Sequence, residues 1–254
     1  MPIEPTLFRL RVRYVKQGRL RYLGHLEVAR TVERSVRRAG LPYAVTQGFS
    51  PHMRVAFTAA LPVGTSSTCE WYDLVLTEYV PADEALAGLV AATPADLAPQ
   101  QAGYVDMRAE TLGLLVTRQD YRIDLSLTGV RSAVELLPAA RAALDGLIAE
   151  GTIRYLRGRK EKTLDLAALL TEAKLETRAD DAGFVLELKT RSSNAGSLRP
   201  EIFLSAWDAR FGAGDSDEPI VSTGIPHLAN FERAEVERID QYGEDESGNR
   251  VDPL

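Results

Sequence analysis

Two histidines stand at positions where an imidazole would be useful to chemistry. His25 lies where a predicted helix begins, and His52 lies in a loop rich in glycine, serine and proline. At a helix N-terminus the dipole disfavours the imidazolium, so His25 would act as a base or as a neutral donor. Loops such as the second often hold functional side chains on a rigid support. We therefore treat His25 and His52 as catalytic candidates. The alternative role of His25 is helix capping or packing, and that of His52 is a hydrogen bond that locks the loop.

A row of arginines follows His25 along the same predicted helix, which runs to Ala39. Apolar residues recur at helical spacing on one side, as expected for packing on a core. The other side carries arginines at positions i, i+4 and i+8: Arg30, Arg34 and Arg38. Like charges at this spacing repel one another, which an anionic partner would relieve. The alternative is an ordinary solvated face, with Glu27 and Glu33 as local partners.

Four short motifs around these residues resemble a known family. The chain reads GHLEVAR from Gly24, RRAGLP from Arg37, QGFSPHMR from Gln47 and LPVG from Leu61. This is similar to the radical SAM-associated, or radical SAM-linked, family of uncharacterised bacterial proteins. Members of that family read approximately SHLDLMR, RRAGLP, QGFNPHPR and LPLG at the matching places.

The chain departs from the family pattern at four positions and keeps its most distinctive residues. The departures are at Gly24, Glu27, Ser50 and Met53. Both histidines are kept, and so are three loop residues: Gly48, Phe49 and Pro51. The resemblance covers about the first third of the chain. It implies a partner relationship with radical SAM enzymes, but the family has no settled activity to transfer.

Metal and cofactor chemistry find little support in the residue types. The single cysteine, Cys69, excludes an internal disulfide and a multi-cysteine metal or iron-sulfur site. His25 and His52 lack metal-ligand spacing, and His227 is far from both in sequence. The glycines form no phosphate-loop or dinucleotide fingerprint. We expect no metal and no cofactor.

Charge is distributed unevenly along the chain. Residues 9–54 hold ten Arg and one Lys against two Glu, while residues 213–254 hold eleven acidic residues against three Arg. The net charge of -6 therefore says little about partners, and the basic portion is able to bind a polyanion. No apolar run reaches membrane-spanning length, and the first residues lack the core of a signal peptide. We expect a cytoplasmic protein without membrane contact.

The hydrophobic pattern predicts the order βαββαβ twice. Residues 7–15 alternate apolar side chains with Arg9, Arg11 and Arg13, as in a strand with one buried face and one open, basic face. The first half continues with a helix at 25–39, extended segments around 43–46 and 54–60, a strand at 70–77, a helix at 83–92 and a strand at 101–107. The second half shows a strand at 121–127, a helix at 132–150, segments at 152–156 and 163–166 joined by a basic turn, a strand at 184–190, a helix at 199–211 and a last strand within 219–239.

This order predicts an α+β fold of two tandem ferredoxin-like (βαββαβ) units with antiparallel sheets. We place the first unit at 1–112, the second at 113–240 and an acidic disordered tail at 241–254. In such units both helices cover one face of the sheet and leave the other face free.

Basic open faces on ferredoxin-like units are a recurring way to hold RNA. We therefore expect an RNA-binding accessory protein, linked to tRNA or rRNA modification or processing. The predicted phosphate contacts line a cleft formed by pseudo-symmetric pairing of the two units, with Arg54, Arg157 and Arg159 at its centre and Arg30, Arg34 and Arg38 at its rim. Lys160 is a further predicted phosphate contact. One alternative is a protein partner that presents substrate to a separate radical SAM enzyme. Another is a metal-independent endoribonuclease that uses His25 or His52.

Overall fold

The computed structural model describes residues 6–193, 196–212, 219–221 and 227–254. It shows a mixed α/β fold with mostly antiparallel strand pairing and, within these residues, six α-helices. The chain divides into two compact units. Unit 1 comprises Met1–Leu61, Ser66–Thr117 and Gln241–Leu254, and unit 2 comprises Pro62–Thr65 and Arg118–Asp240. The mixed, mostly antiparallel fold class predicted from the sequence is confirmed.

Unit 1 begins with the predicted order of strands and helices. Its elements are β1 (Phe8–Lys16), α1 (His25–Arg38), β2 (Val55–Phe57), β3 (Ser66–Leu76), α2 (Ala82–Ala92), β4 (Pro99–Val105) and the short α3 (Leu112–Leu115). The strands lie in the order β4-β1-β3-β2, and each neighbouring pair is antiparallel. The first and third strands are therefore central.

The core of unit 1 forms where the apolar face of β1 meets both long helices. Leu10 and Val12 are fully buried, and they pack in one cluster with Val32 of α1 and Leu89 of α2. Because side chains alternate along a strand, the neighbouring arginines point to the opposite face of β1.

That opposite face is covered, which corrects the prediction of an open basic surface on β1. Arg11 is 2% exposed and donates two hydrogen bonds to the Asp73 carboxylate, at 2.7 and 2.9 Å. It also donates to the carbonyl oxygens of Pro253 at 2.9 Å and Glu110 at 3.1 Å. Arg9 likewise donates to carbonyls of the segment after β4. Buried arginines need such partners, and the chain supplies them from segments remote in sequence.

Unit 2 contains more elements than the predicted six. They are β5 (Arg118–Leu127), α4 (Ala133–Glu150), β6 (Thr152–Arg157), β7 (Lys160–Asp165), α5 (Leu166–Leu169), β8 (Leu170–Thr177), β9 (Gly183–Ser193), β10 (Gly196–Ser197), α6 (Pro200–Phe211) and β11 (Phe231–Glu244). The main sheet has the order β8-β9-β5-β11, with β10 also pairing with β9. Strands β6 and β7 form a separate two-stranded sheet.

An aromatic core holds unit 2 together. Phe184 of β9 and Trp207 of α6 are fully buried, and the Trp207 indole donates to the carbonyl of Ala140 at 3.0 Å. Phe231 packs against Trp207 with ring centroids 5.4 Å apart. The predicted helices at 132–150 and 199–211 are confirmed as α4 and α6, while β8 was not predicted. Within the range expected for the last strand, residues 222–226 lie outside the described residues.

Residues 241–254 are ordered, contrary to the predicted disordered tail. Strand β11 continues to Glu244, and β12 (Arg250–Val251) pairs with it. The turn between them is closed by the Asp245 carboxylate, which accepts N–H groups of Ser247 at 2.9 Å and Asn249 at 2.7 Å. This segment belongs to unit 1. The preceding stretch of that unit, Ser66–Thr117, ends at Thr117, whereas the predicted limit of the first unit was residue 112.

Candidate functional site

Helix α1 places the predicted arginine row on the surface. The Glu27 carboxylate accepts the Gly24 N–H at 2.8 Å where the helix starts, and Gly40, with φ of +68°, follows its end. Val28, Val32 and Val36 are buried, so the opposite side of the helix faces solvent. The exposed side carries the predicted cations Arg30, Arg34 and Arg38. With a rise of about 1.5 Å per residue, they form a row about 12 Å long.

The local acidic residues only partly neutralise this helix. Glu33 pairs with Arg37 at 3.5 Å, as in the solvated-face alternative. The Glu27 carboxylate, in contrast, accepts a hydrogen bond from the Gly24 N–H at the start of the helix. Arg34 donates to the Thr31 hydroxyl at 3.0 Å. A hydrogen bond with the Tyr43 hydroxyl raises the pKa of Arg37, which therefore stays charged.

The loop of Gln47 to Pro51 projects from a closed base. The Thr46 N–H donates to the His52 carbonyl at 2.8 Å, and the His52 N–H donates to the Thr46 hydroxyl at 3.0 Å. Gly48, Ser50 and Pro51 are exposed, and Gly48 has a φ of +141° that favours glycine. Phe49 has a relative exposure of 108%, so its ring stands free of the protein surface.

Arg54 follows at the base of this loop. Its N–H donates to Ala44 at 2.9 Å and its carbonyl accepts the Val75 N–H at 3.0 Å. The loop is thus anchored to the edge of the sheet. No acidic residue occurs between Arg34 and Cys69, although the chain as a whole contains 36. The loop therefore lies in a stretch whose only charges are positive.

His25 is one of the residues that line a narrow pocket in unit 1. Its ring meets Phe57 edge to face, with centroids 5.5 Å apart. Lys16 and Glu70 also line the pocket, and both are 3% exposed. The pocket has room for about one water molecule, far less than a substrate needs. Burial raises the pKa of the neighbouring Tyr72 far above its usual range, so its hydroxyl stays neutral.

The two catalytic candidates have separate surroundings. His25 contacts Phe57, whereas His52 lies 3.5 Å from the Ser50 hydroxyl, at the long limit for a hydrogen bond. The contacts described for these two histidines share no residue. A catalytic role for either one stays a prediction.

In unit 2 the predicted phosphate contacts Arg157, Arg159 and Lys160 lie on a hairpin formed by β6 and β7. Ile153 and Leu164 are buried and fix it to the core, while the Leu156 N–H donates to the Ile220 carbonyl at 2.7 Å. Its exposed cations are Arg154, Arg157, Arg159, Lys160 and Lys162. The register places Arg157 directly opposite Lys160, and Lys162 opposite Tyr155. Like charges directly opposite one another across two strands are destabilising.

Metal-ligating side chains do not cluster within the described parts of the chain: no three of His, Cys, Asp and Glu are grouped there. The expectation that no metal or cofactor is bound stays a prediction. Arg54 belongs to unit 1, and Arg157, Arg159 and Lys160 belong to unit 2. The shared cleft between them also stays a prediction.

Lys16 and Glu70, the two buried charges of the pocket, were not predicted from the sequence. The signal was present, because Lys16 continues the alternation of Leu10, Val12 and Tyr14, and Glu70 continues that of Tyr72 and Leu74. A charged residue that falls on the buried face of a strand needs a polar environment. The positions of Lys16 in β1 and Glu70 in β3 therefore indicate a polar site beneath these two strands. Arg154 was also missed as a member of the basic hairpin.

These features define a class of protein: a two-unit α/β protein with exposed cations on one helix and one hairpin. A family model of uncharacterised proteins conserved in bacteria, DUF2344, matches residues 9–200. The chain belongs to this family. The expectation of an uncharacterised bacterial family is confirmed, and the link to radical SAM enzymes stays a prediction. No curated protein matches the chain.

Two solved structures resemble the chain only weakly. A chain of a Cbf5-Nop10-Gar1 complex aligns at 10% identity with a TM-score of 0.43, covering 97% of this chain. The alignment spans 61% of the matched chain, less than two thirds of its length. A candidate glycine cleavage system transcriptional repressor aligns at 11% identity with a TM-score of 0.22, covering 80% of this chain and 90% of the other. Neither score supports an argument about fold or function. Within the described residues, no helix is long and apolar enough to cross a membrane.

Proposed function

We propose that this protein binds RNA through phosphate contacts made by helix α1, the loop base and the β6–β7 hairpin. The best support for this proposal is that the predicted phosphate-contacting cations have no acidic partner among the described residues. Seven cations were predicted as phosphate contacts: Arg30, Arg34, Arg38, Arg54, Arg157, Arg159 and Lys160. None of them forms an ion pair with another described residue. Three exposed cations elsewhere in the protein do form such ion pairs: Lys174, Lys189 and Arg233.

The hairpin gives the physical reason for an anionic partner. Arg157 and Lys160 face each other across the two strands, and Lys162 lies on the same face. Their mutual repulsion costs stability in the free protein. A phosphate backbone placed over this face would remove the repulsion and release condensed counterions, which drives binding.

The sheet order favours RNA as the anion, by analogy with other proteins whose sheets have the same strand order. In both units the first and third strands are central, with order β4-β1-β3-β2 in unit 1 and β8-β9-β5-β11 in unit 2. This supports assigning both as ferredoxin-like units, an arrangement often used to hold RNA. Because the β1 face is covered, we place the RNA on the helix and the hairpin. The accessory role in tRNA or rRNA modification is an extension of the same proposal.

The test compares two charge-removal variants with a matched control. One variant is Arg30→Ala/Arg34→Ala/Arg38→Ala and the other is Arg157→Ala/Arg159→Ala/Lys160→Ala. The control, Lys174→Ala/Lys189→Ala/Arg233→Ala, removes three exposed cations that already have partners. Affinity for labelled bulk tRNA is measured by fluorescence anisotropy across a salt series, with folding checked by circular dichroism.

We expect each test variant to bind more weakly and to lower the salt slope by about two units, since each phosphate contact adds about 0.7 to 0.9. The control should bind like the wild type. If the wild type binds no RNA at low salt, or if the control loses as much affinity as the test variants, the proposal is wrong. A protein partner, such as a radical SAM enzyme, then becomes the better explanation.

A further inference from the structure

Phe49 is the most unusual apolar residue on the surface of unit 1. Its ring is wholly exposed, at 108% of the reference area. Two hydrogen bonds between Thr46 and His52, one of them accepted by the Thr46 hydroxyl, close the loop beneath the ring, and Met53, directly after, is buried. Pro51 restricts the residue before it to extended conformations. The loop therefore holds an aromatic ring away from the core, where the hydrophobic effect alone would not place it.

The charges around the loop indicate what would cover this ring. Residues 34–69 contain no acidic side chain, and Arg54 at the loop base has no ion pair with the described residues. A covering group should therefore combine a flat apolar surface with negative charge. An unpaired nucleotide has both, since its base offers a π-face and its phosphate an anion. In a duplex the base faces are hidden by stacking, so double-stranded RNA offers only the anion.

We infer that Phe49 is a stacking platform for an unpaired RNA base, with Arg54 contacting a neighbouring phosphate. This rests on the proposed function and narrows its substrate to RNA with single-stranded or looped-out nucleotides. The ring stacks on one base, and because every base has a π-face, the contact tolerates any sequence. His52, at the foot of the loop, keeps the loop closed through its backbone bonds.

The first measurement places a fluorescent probe at the loop tip. Phe49→Trp keeps an aromatic ring, and its emission should be quenched when an unpaired oligonucleotide is added. Trp71 and Trp207 are buried, at 5% and 0% exposure, so the wild type gives the background. A duplex of equal length, bound to the same extent by anisotropy, should quench much less.

The second measurement removes the ring. Phe49→Ala should weaken binding of the unpaired oligonucleotide by between about fivefold and about 150-fold, with an unchanged salt slope. Binding of the duplex should change less than twofold. Val130, 107% exposed and located in unit 2, gives the matched control, and Val130→Ala should bind like the wild type.

The outcomes separate this inference from the proposed function. If the wild type binds RNA but Phe49→Trp is not quenched and Phe49→Ala binds normally, the stacking inference is wrong while RNA binding stands. If Phe49→Ala weakens duplex and unpaired RNA equally, the inference is also wrong. If the wild type binds no RNA at low salt, both are wrong, and the exposed ring is then better explained as an anchor in a protein pocket.

Discussion

Removing Asp73 should destabilise unit 1 strongly, because it leaves Arg11 charged and buried. Arg11 is 2% exposed, and Asp73 accepts its Nε–H at 2.7 Å and one Nη2–H at 2.9 Å. In Asp73→Ala the carbonyls of Pro253 and Glu110 remain as acceptors, so the buried guanidinium keeps part of its hydrogen bonding. Breaking a buried ion pair costs about 3–5 kcal/mol, and we expect a loss near the lower end, about 3 kcal/mol.

The assay must report on one unit, since a protein with two units need not unfold in one step. Native-state hydrogen exchange in a urea series, read by mass spectrometry, follows peptides of β1 and β3. Peptides of β5 and β9 in unit 2 give the internal reference. Asp124→Ala is the control, because it breaks an exposed ion pair with Arg122 at 3.2 Å and should cost less than about 1 kcal/mol. If β1 peptides keep wild-type protection in Asp73→Ala, the reasoning about Arg11 is wrong.

Two further predictions concern the end of the chain and pH. Deleting residues 250–254 removes β12 and the Pro253 carbonyl from Arg11, and unit 1 should lose about 1.5–3 kcal/mol in the same exchange assay; unchanged protection would contradict this. Hydrogen bonds from the Val134 N–H and the Ser132 hydroxyl lower the pKa of Asp181. A carboxyl group whose pKa is lowered by folding stabilises the folded state at pH above its unfolded-state pKa. This stabilisation is lost as the pH falls through the folded-state pKa. Below about pH 4, melting temperature should therefore fall more steeply in the wild type than in Asp181→Asn, and parallel curves would contradict it.

Elements with strong local patterns could be predicted from the sequence. The alternation of β1 and the helical spacing of α1 both depend on neighbouring residues, and both elements lie within two residues of their predicted limits. The end of α4 was also predictable, since Gly151 adopts the left-handed conformation, with φ of +72°, that stops a helix.

Features that depend on remote partners could not be predicted in this way. Arg11 looks solvent-exposed in its own strand, and only the pairing of β1 with β3 brings Asp73 beside it. The acidic segment 241–254 has a composition typical of disorder, yet it contains the end of β11 and the whole of β12, which pair with each other. Strand β8 is rich in helix-forming residues, and its pairing with β9 overrides that preference.

In the candidate site, too, features set by local sequence patterns were predictable and features set by remote contacts were not. The exposed face of α1 follows from its buried valines and was predictable. The exposure of Phe49 follows from backbone bonds that close the loop, which the residue types alone do not reveal. For His25, the contact with Phe57 joins two parts of the chain 32 residues apart, and no local pattern indicates it.

The division of unit 1 into separate stretches of chain has a consequence for protein synthesis. Asp73 is translated long before Pro253, which follows 180 residues later, after the whole of unit 2. At about 5–20 residues per second, the ribosome takes about 10 to 40 s to cover that interval. During this time Arg11 has its carboxylate partner, but the stretch that covers its strand does not yet exist. Every nascent chain therefore passes through a period in which unit 1 lacks its last stretch and Arg11 lacks one of its carbonyl partners.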